Sequence, residues 1–265
     1  MIRARFQSWD IRNQPVLVRA DLNIPLHNSR IISDFKLKAF EPTLQALLKQ
    51  QATIIIATHI GNPSEHDAAL STEMLMPWFS DRGYSVSFAP DIETAHTLSQ
   101  NNIILLENLR FFPGEKEQST DFAHTLATLG NYYINDAFGV LHRSDASVTQ
   151  VPALFAVDRR SCGLLVEKEL RMLTGIRTAP QRPYLCILGG GKPETKLPLL
   201  THLLPFVDTM VVLPALSNTY GAALQQPVGK SIICKELVAE CLQNLRTDFD
   251  TMILPVDYQV TSKTV

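Results

Sequence analysis

No run of apolar residues in this 265-residue chain is long enough to span a membrane; the hydrophobic stretches are all strand-sized. Cysteine is sparse. The four present, Cys162, Cys186, Cys234 and Cys241, lie far apart, form no CxxC pair and have no histidine at ligand spacing. That excludes a disulfide frame and a zinc site, leaves reduced thiols, and gives no expectation of a bound structural metal. Charge of one sign is lacking too: 24 basic residues stand against 26 acidic, a formal net charge of −2. Neither a nucleic-acid nor an anionic-membrane partner is therefore expected, and any anion site must come from a local cluster of basic groups. The opening residues, MIRARFQSWD, lack the apolar stretch of a signal peptide, so the expected location is cytoplasmic.

What is present is a core. Apolar residues make up 45% of the chain and charged residues 19%, as in globular proteins. Short apolar or β-branched runs recur at 15–20, 52–60, 84–88, 102–109 and 131–138, then at 183–190, 209–214 and 251–256. They do not alternate with polar residues, as expected for strands covered on both faces. Helical patterns lie between them at Lys36–Gln50, Met74–Arg82, Thr120–Leu129, Glu194–Leu204 and Lys235–Leu245. Regular alternation of strand and helix predicts an α/β fold of two doubly wound, Rossmann-like parallel-sheet domains, the second incomplete with three strands. The expected domains are residues 1–160 and 183–265, joined by a connecting helix (GLLVEKELRML, 163–173) and a linker within 161–182. An uncovered edge on the short second sheet would favour self-association through that domain.

In open α/β sheets ligands bind beyond the carboxyl ends of the strands. After the first strand comes Asp21-Leu22-Asn23, and after the second His59-Ile60-Gly61-Asn62. The fourth strand is followed by Arg110 and the fifth by a loop reaching Arg143, while Lys36 opens the first helix. Taken singly, an arginine after a strand is more often a surface charge, and Asn or Asp in a loop more often a turn-maker. Recurrence at four successive strand ends is not explained that way. Arginine forks suit the phosphate and carboxylate of a phosphorylated acid, and Asp21 and Asn23 suit its hydroxyls.

In the second half, a strand runs into Gly189-Gly190-Gly191-Lys192 and a helix carrying Lys196. Glycines let a phosphate approach the backbone, and a helix start with two lysines stabilises its charge. The segment is neither a Walker A loop nor GxGxxG. The lack of GxGxxG after the first strand also argues against a dinucleotide-dependent oxidoreductase.

At these residues the chain resembles the phosphoglycerate kinase family. VLVRADLNIP, ATHIGNP, ILLENLRFFPGE, INDAFGVLHR, GLLVEKEL and ILGGGKPETK are similar to its segments, collinear from about residue 15 onward. The resemblance implies phosphoryl transfer between 1,3-bisphosphoglycerate and ADP, or from ATP with Mg2+ to 3-phosphoglycerate, in glycolysis. It implies acid binding by the first domain, nucleotide binding by the second, and closure by a hinge. Asp21, Leu22, Asn23, Lys36, His59, Ile60, Gly61, Asn62, Arg110 and Arg143 would bind substrate. Gly189, Gly190, Gly191, Lys192 and Lys196 would hold the nucleotide phosphates, with Lys36 and Lys192 nearest the transferring group.

The chain departs from the family at several of these positions. Lys36 stands where the family has arginine, keeping the charge but losing the planar fork. Asn62 replaces a cation, Asp145 replaces a histidine near the phosphate site, and Leu213-Pro214-Ala215 replaces a triple-glycine turn at the nucleotide. The family segments that supply adenine contacts, a metal-holding aspartate and a glycine-rich phosphate loop are not among these 265 residues. These departures imply weak nucleotide binding. They also define the alternative function: a non-catalytic relative that binds a phosphorylated acid or a partner protein.

Overall fold

A computed structural model describes residues 5–27, 30–63, 65–98 and 102–257, without the side chains of His27 and Arg177. The ends of the two expected domains, 1–4 and 258–265, lie outside the described residues. The chain forms two compact units, Met1–Met172 and Leu173–Val265.

The strands of the first unit are β1 (Pro15–Ala20), β2 (Leu26–His27), β3 (Arg30–Ile31), β4 (Thr53–Ala57), β5 (Val86–Ala89), β6 (Ile103–Leu106), β7 (Tyr132–Asp136) and β8 (Arg160–Cys162). Those of the second are β9 (Leu185–Leu188), β10 (Thr209–Val212) and β11 (Met252–Ile253). The helices are α1 (Phe35–Lys49), α2 (Met76–Ser80), α3 (Ile92–Thr97), α4 (Pro113–Lys116), α5 (Thr120–Ala127), α6 (Ala146–Ala153) and α7 (Leu164–Thr178), then α8 (Pro193–Leu203), α9 (Leu216–Ala223) and α10 (Val238–Asp248).

Six strands of the first unit form one sheet in the order β5-β6-β4-β1-β7-β8, and every neighbouring pair in it is parallel. Its apolar strand runs are explained by two cores. Val16, Val18, Ile54, Ile56 and Ile134 face α1, through Leu37, Phe40, Leu44 and Leu47. Their neighbours Leu17, Ile55, Ile104 and Tyr133 point the other way, toward Ala123 and Leu126 of α5 and Val151 of α6. Residues one apart on a strand face opposite sides, so both sides of each strand must be apolar. From β1 the chain goes to β4 on one side, whereas β7 on the other side leads to β8. The carboxyl ends of β1 and β7 are thus a topological switch point, the place where such sheets bind ligands. The adjoining loops are close: a Cβ on Gly139, after β7, would fall 2.5 Å from Asp21 Oδ2, after β1.

The sheet has one strand more than the five expected. Arg160–Cys162 is a polar edge strand and offers no apolar run to read. Beyond it, Asp136 is fully buried and accepts the backbone N–H groups of Leu165 and Val166 at 2.9 and 3.1 Å, capping α7. Gly163 is required there, because a Cβ would lie 2.2 Å from Asp136 Oδ1.

The second unit has a three-stranded parallel sheet, β11-β10-β9. Here the expectation of two covered faces fails. Leu188, Met210, Val212 and Met252 lie in one core with residues of α8, α9 and α10. On the opposite face Leu185, Ile187 and Ile253 remain 53–59% exposed. The three helices pack on one side, so among the described residues the other side is uncovered. No helix of the described residues is long and apolar enough to cross a membrane.

Candidate functional site

The loops after β1, β4 and β6 are tied together by their own polar groups. Thr58 Oγ1 accepts from Leu22 N at 3.0 Å, and Asn23 Oδ1 accepts from Gly61 N at 2.8 Å. Gly61 sits at φ 66°, a conformation glycine adopts freely. Asn108 donates through Nδ2 to Ile60 O at 2.9 Å and Leu70 O at 2.8 Å, and its Oδ1 accepts from Arg110 N at 3.1 Å. Leu22 and Ile60 have their side chains in the core, so only their backbones could meet a ligand. Asn23 has committed its oxygen to the loop, which leaves its amide nitrogen for other partners.

Cations converge on this frame. Arg19, Lys36, Arg110 and Arg143 all act electrostatically on His59, which is itself 2% exposed. Burial first, then these charges, push the His59 pKa down to about 2, so the ring is neutral at physiological pH. Lys36 Nζ donates to both Asp21 oxygens, at 2.9 and 2.8 Å, with its side chain 41% exposed. Arg110, whose side chain is 1% exposed, donates Nη1 to Asn62 Oδ1; its Nη2 lies 3.7 Å from Asp145 Oδ2. Asp145 therefore does stand beside this cluster, and Asn62 serves as an acceptor that orients Arg110. Burial lowers the Arg110 pKa, and Arg143 adds to the effect.

Among the described residues, Nε and Nη2 of Arg110 and Nε of Arg143 are buried with no hydrogen-bond partner. A buried cation with unused donors costs free energy unless an acceptor arrives. Donors of this kind, grouped at the switch point of the sheet, make this the candidate site for an anion. Of the sequence-predicted residues in the first unit, the structure brings Asp21, Asn23, Lys36, His59, Gly61, Asn62, Arg110 and Arg143 to this one sheet end.

Sequence reading gives no role to Arg19, Glu115, Ser147 or Gly139, which also build the site. The signal for Arg19 was present: one arginine inside the apolar run VLVRA, 1% exposed in the fold. Buried arginines are rare unless paired.

In the second unit, Gly189–Gly191 follow β9 and lead into α8, with Lys192 at its N-cap. Gly190 has φ 137°, and a Cβ on Gly190 or Gly191 would meet nothing within 4 Å, so a ligand could approach the backbone there. Lys192 and Lys196 are exposed, one turn apart at the positive end of an 11-residue helix. Gly189 instead abuts Leu213, whose side chain a Cβ would meet at 2.9 Å. Ala215, in the same turn as Leu213, is held at φ 74°, a conformation L residues rarely adopt.

Comparison with known proteins gives the family. The family model for phosphoglycerate kinase matches residues 6–265. The chain belongs to the phosphoglycerate kinase family. A phosphoglycerate kinase of Parafrankia sp. (strain EAN1pec) is 37% identical over 271 residues, covering 94% of this chain and 66% of the relative. That of Chlamydia muridarum is 36% identical, covering 94% and 65%. Among solved structures, phosphoglycerate kinase from Coxiella burnetii superposes with a TM-score of 0.78 at 29% identity, covering 94% of this chain and 64% of that one. The chain thus spans about two thirds of the length of these relatives.

Proposed function

We propose that this chain acts in phosphoryl transfer of the phosphoglycerate kinase type, with 3-phosphoglycerate bound by the first unit and ATP or ADP by the second. In the direction of acid phosphorylation, a carboxylate oxygen attacks the γ-phosphorus, the bond to the β-bridging oxygen breaks, and ADP leaves with that electron pair. The acceptor is thus a carboxyl group, and no covalent enzyme intermediate is needed. The observation that carries the reading is the set of buried, unpartnered guanidinium donors on Arg110 and Arg143 beside neutral His59. They would take the phosphate and carboxylate of the acid, while Lys36, half-exposed against Asp21, is the cation best able to follow developing charge.

The nucleotide phosphates would be held by the backbone of Gly190 and Gly191, the start of α8, Lys192 and Lys196. Among the described residues no group of three or more His, Cys, Asp or Glu side chains could hold a metal ion. The magnesium of a magnesium nucleotide would be held chiefly by the phosphates and water. The exposed face of Leu185, Ile187 and Ile253 would favour self-association of the second unit through a second copy; sedimentation of Ile187→Lys against the unaltered chain checks this.

A coupled assay of ATP consumption with 3-phosphoglycerate, run beside calorimetric titration of the acid, tests the proposal. Turnover supports transfer. Acid binding with no turnover would leave the chain as a binding relative, and the absence of both binding and turnover would refute the reading.

A further inference from the structure

Arg19 is the most buried cation of the site, and its hydrogen bonds lead inward. Its Nε donates to Ser147 Oγ at 2.8 Å, and its Nη1 to Ala20 O at 2.6 Å. Ser147 Oγ in turn donates to Glu115 Oε1 at 2.6 Å, and Ser147 N to Glu115 Oε2 at 2.9 Å. Tyr133 holds the same residue from below, donating its hydroxyl to Ser147 O at 2.6 Å. Arg19, Glu115 and Ser147 are each 1% exposed, so the chain Glu115–Ser147–Arg19 is a closed polar line through the core.

At its outer end Arg19 Nη2 lies 3.1 Å from His59 Nδ1. A guanidinium has donors and no acceptor, so Nδ1 accepts there and carries no proton; the proton of a neutral ring is then on Nε2. Burial, and then the cations Arg19, Arg110, Arg143 and Lys36, hold the ring neutral.

We propose that Glu115 and Ser147 are positioning residues that fix Arg19, and through it the tautomer of His59, so that His59 offers a neutral Nε2–H donor to the anionic ligand. Glu115 supplies the negative charge that makes a buried Arg19 tolerable, and the Ser147 hydroxyl transmits its position to Nε. Ser147 and Glu115 do not touch the ligand. Their effect on binding rests on the phospho-acid reading; their effect on the tautomer does not.

The test is long-range proton–nitrogen NMR of the 15N-labelled full chain, with the His59 signals assigned by His59→Gln. In the unaltered chain His59 should show a bare Nδ1 and a protonated Nε2, unchanged from pH 8 to about pH 5. Ser147→Ala, which removes a single oxygen, and Glu115→Gln should each bring up an Nδ1–H population and weaken 3-phosphoglycerate binding by about tenfold. A protonated Nδ1 in the unaltered chain overturns the proposal. So does a His59 spectrum unchanged in Ser147→Ala, even if Glu115→Gln fails to fold. Should the tautomer shift as expected in a chain that binds no 3-phosphoglycerate, the positioning line stands and the substrate reading falls.

Discussion

Replacing Arg110 by methionine should weaken ligand binding while leaving the protein as stable or more so. Arg110 is almost fully enclosed, yet only one of its guanidinium nitrogens has a hydrogen-bond partner and the carboxylate of Asp145 stands 3.7 Å away. Burial and the neighbouring Arg143 both act against its charge. Because Asp145 stands too far off for a hydrogen bond and two of the three guanidinium nitrogens have no partner, the exchange removes the desolvation cost of the cation with little loss of attraction, and no loss of stability is expected. For a unit of this size, 1 kcal/mol corresponds to about 2–4 °C in Tm. Loss of a charged hydrogen bond to the acid should cost about 1.5–3 kcal/mol of affinity, or about 10- to 150-fold. Calorimetry of unfolding and of 3-phosphoglycerate titration on Arg110→Met reads both quantities. A loss of stability above about 1 kcal/mol with unchanged affinity would refute the reasoning and make Arg110 a structural partner of Asp145.

Lys36→Arg restores a planar fork and should raise turnover more than it improves acid binding; unchanged turnover would place Lys36 away from the reacting group. His59 has its pKa pushed down to about 2 in the fold against about 6.5 unfolded, so below pH 6.5 the unfolded chain takes up a proton that the folded one refuses. Its contribution to stability is complete above pH 6.5 and is lost by up to about 1.4 kcal/mol per unit as pH falls below it. Glu115 and Asp136, raised by burial, act in the opposite sense above their unfolded values, so the comparison is with His59→Gln, which should flatten the slope of urea stability between pH 6.5 and 5. Equal slopes would mean that the folded ring protonates. Ala215→Gly should stabilise the second unit by about 1 kcal/mol, because Ala215 is held at φ 74°, and should tighten ATP binding; a loss of stability would show that the alanine side chain packs usefully there.

Much of this was legible in the sequence because apolar strands and strand-end polar groups are local signals. β4 and β6 show as unbroken hydrophobic runs, β1, β5 and β7 as largely apolar ones, and the residues after β1, β4, β6 and β7 mark the candidate site. What stayed hidden has particular causes. Helix α6 carries Pro152, α9 follows an N-cap, Ala215, that makes no side-chain cap hydrogen bond, and neither stands out as a helical pattern. The short strand Arg160–Cys162 is polar. The apolar strands of the second sheet imply burial on both faces, but composition cannot say on which side the helices will lie. Asp21 and Asn23 read as ligand groups, whereas the fold also uses them to hold Lys36 and Gly61. The inward line from His59 to Glu115 joins residues far apart in sequence, and only the fold puts them in register.

Calorimetric titration of the full chain with 3-phosphoglycerate, repeated at two salt concentrations, tests the central claim most directly. The account predicts saturable binding at one site per chain with a dissociation constant between about 1 µM and 1 mM, weakened by salt and by Arg110→Met. An absence of saturable heat, or binding that survives the loss of Arg110 unchanged, would contradict it.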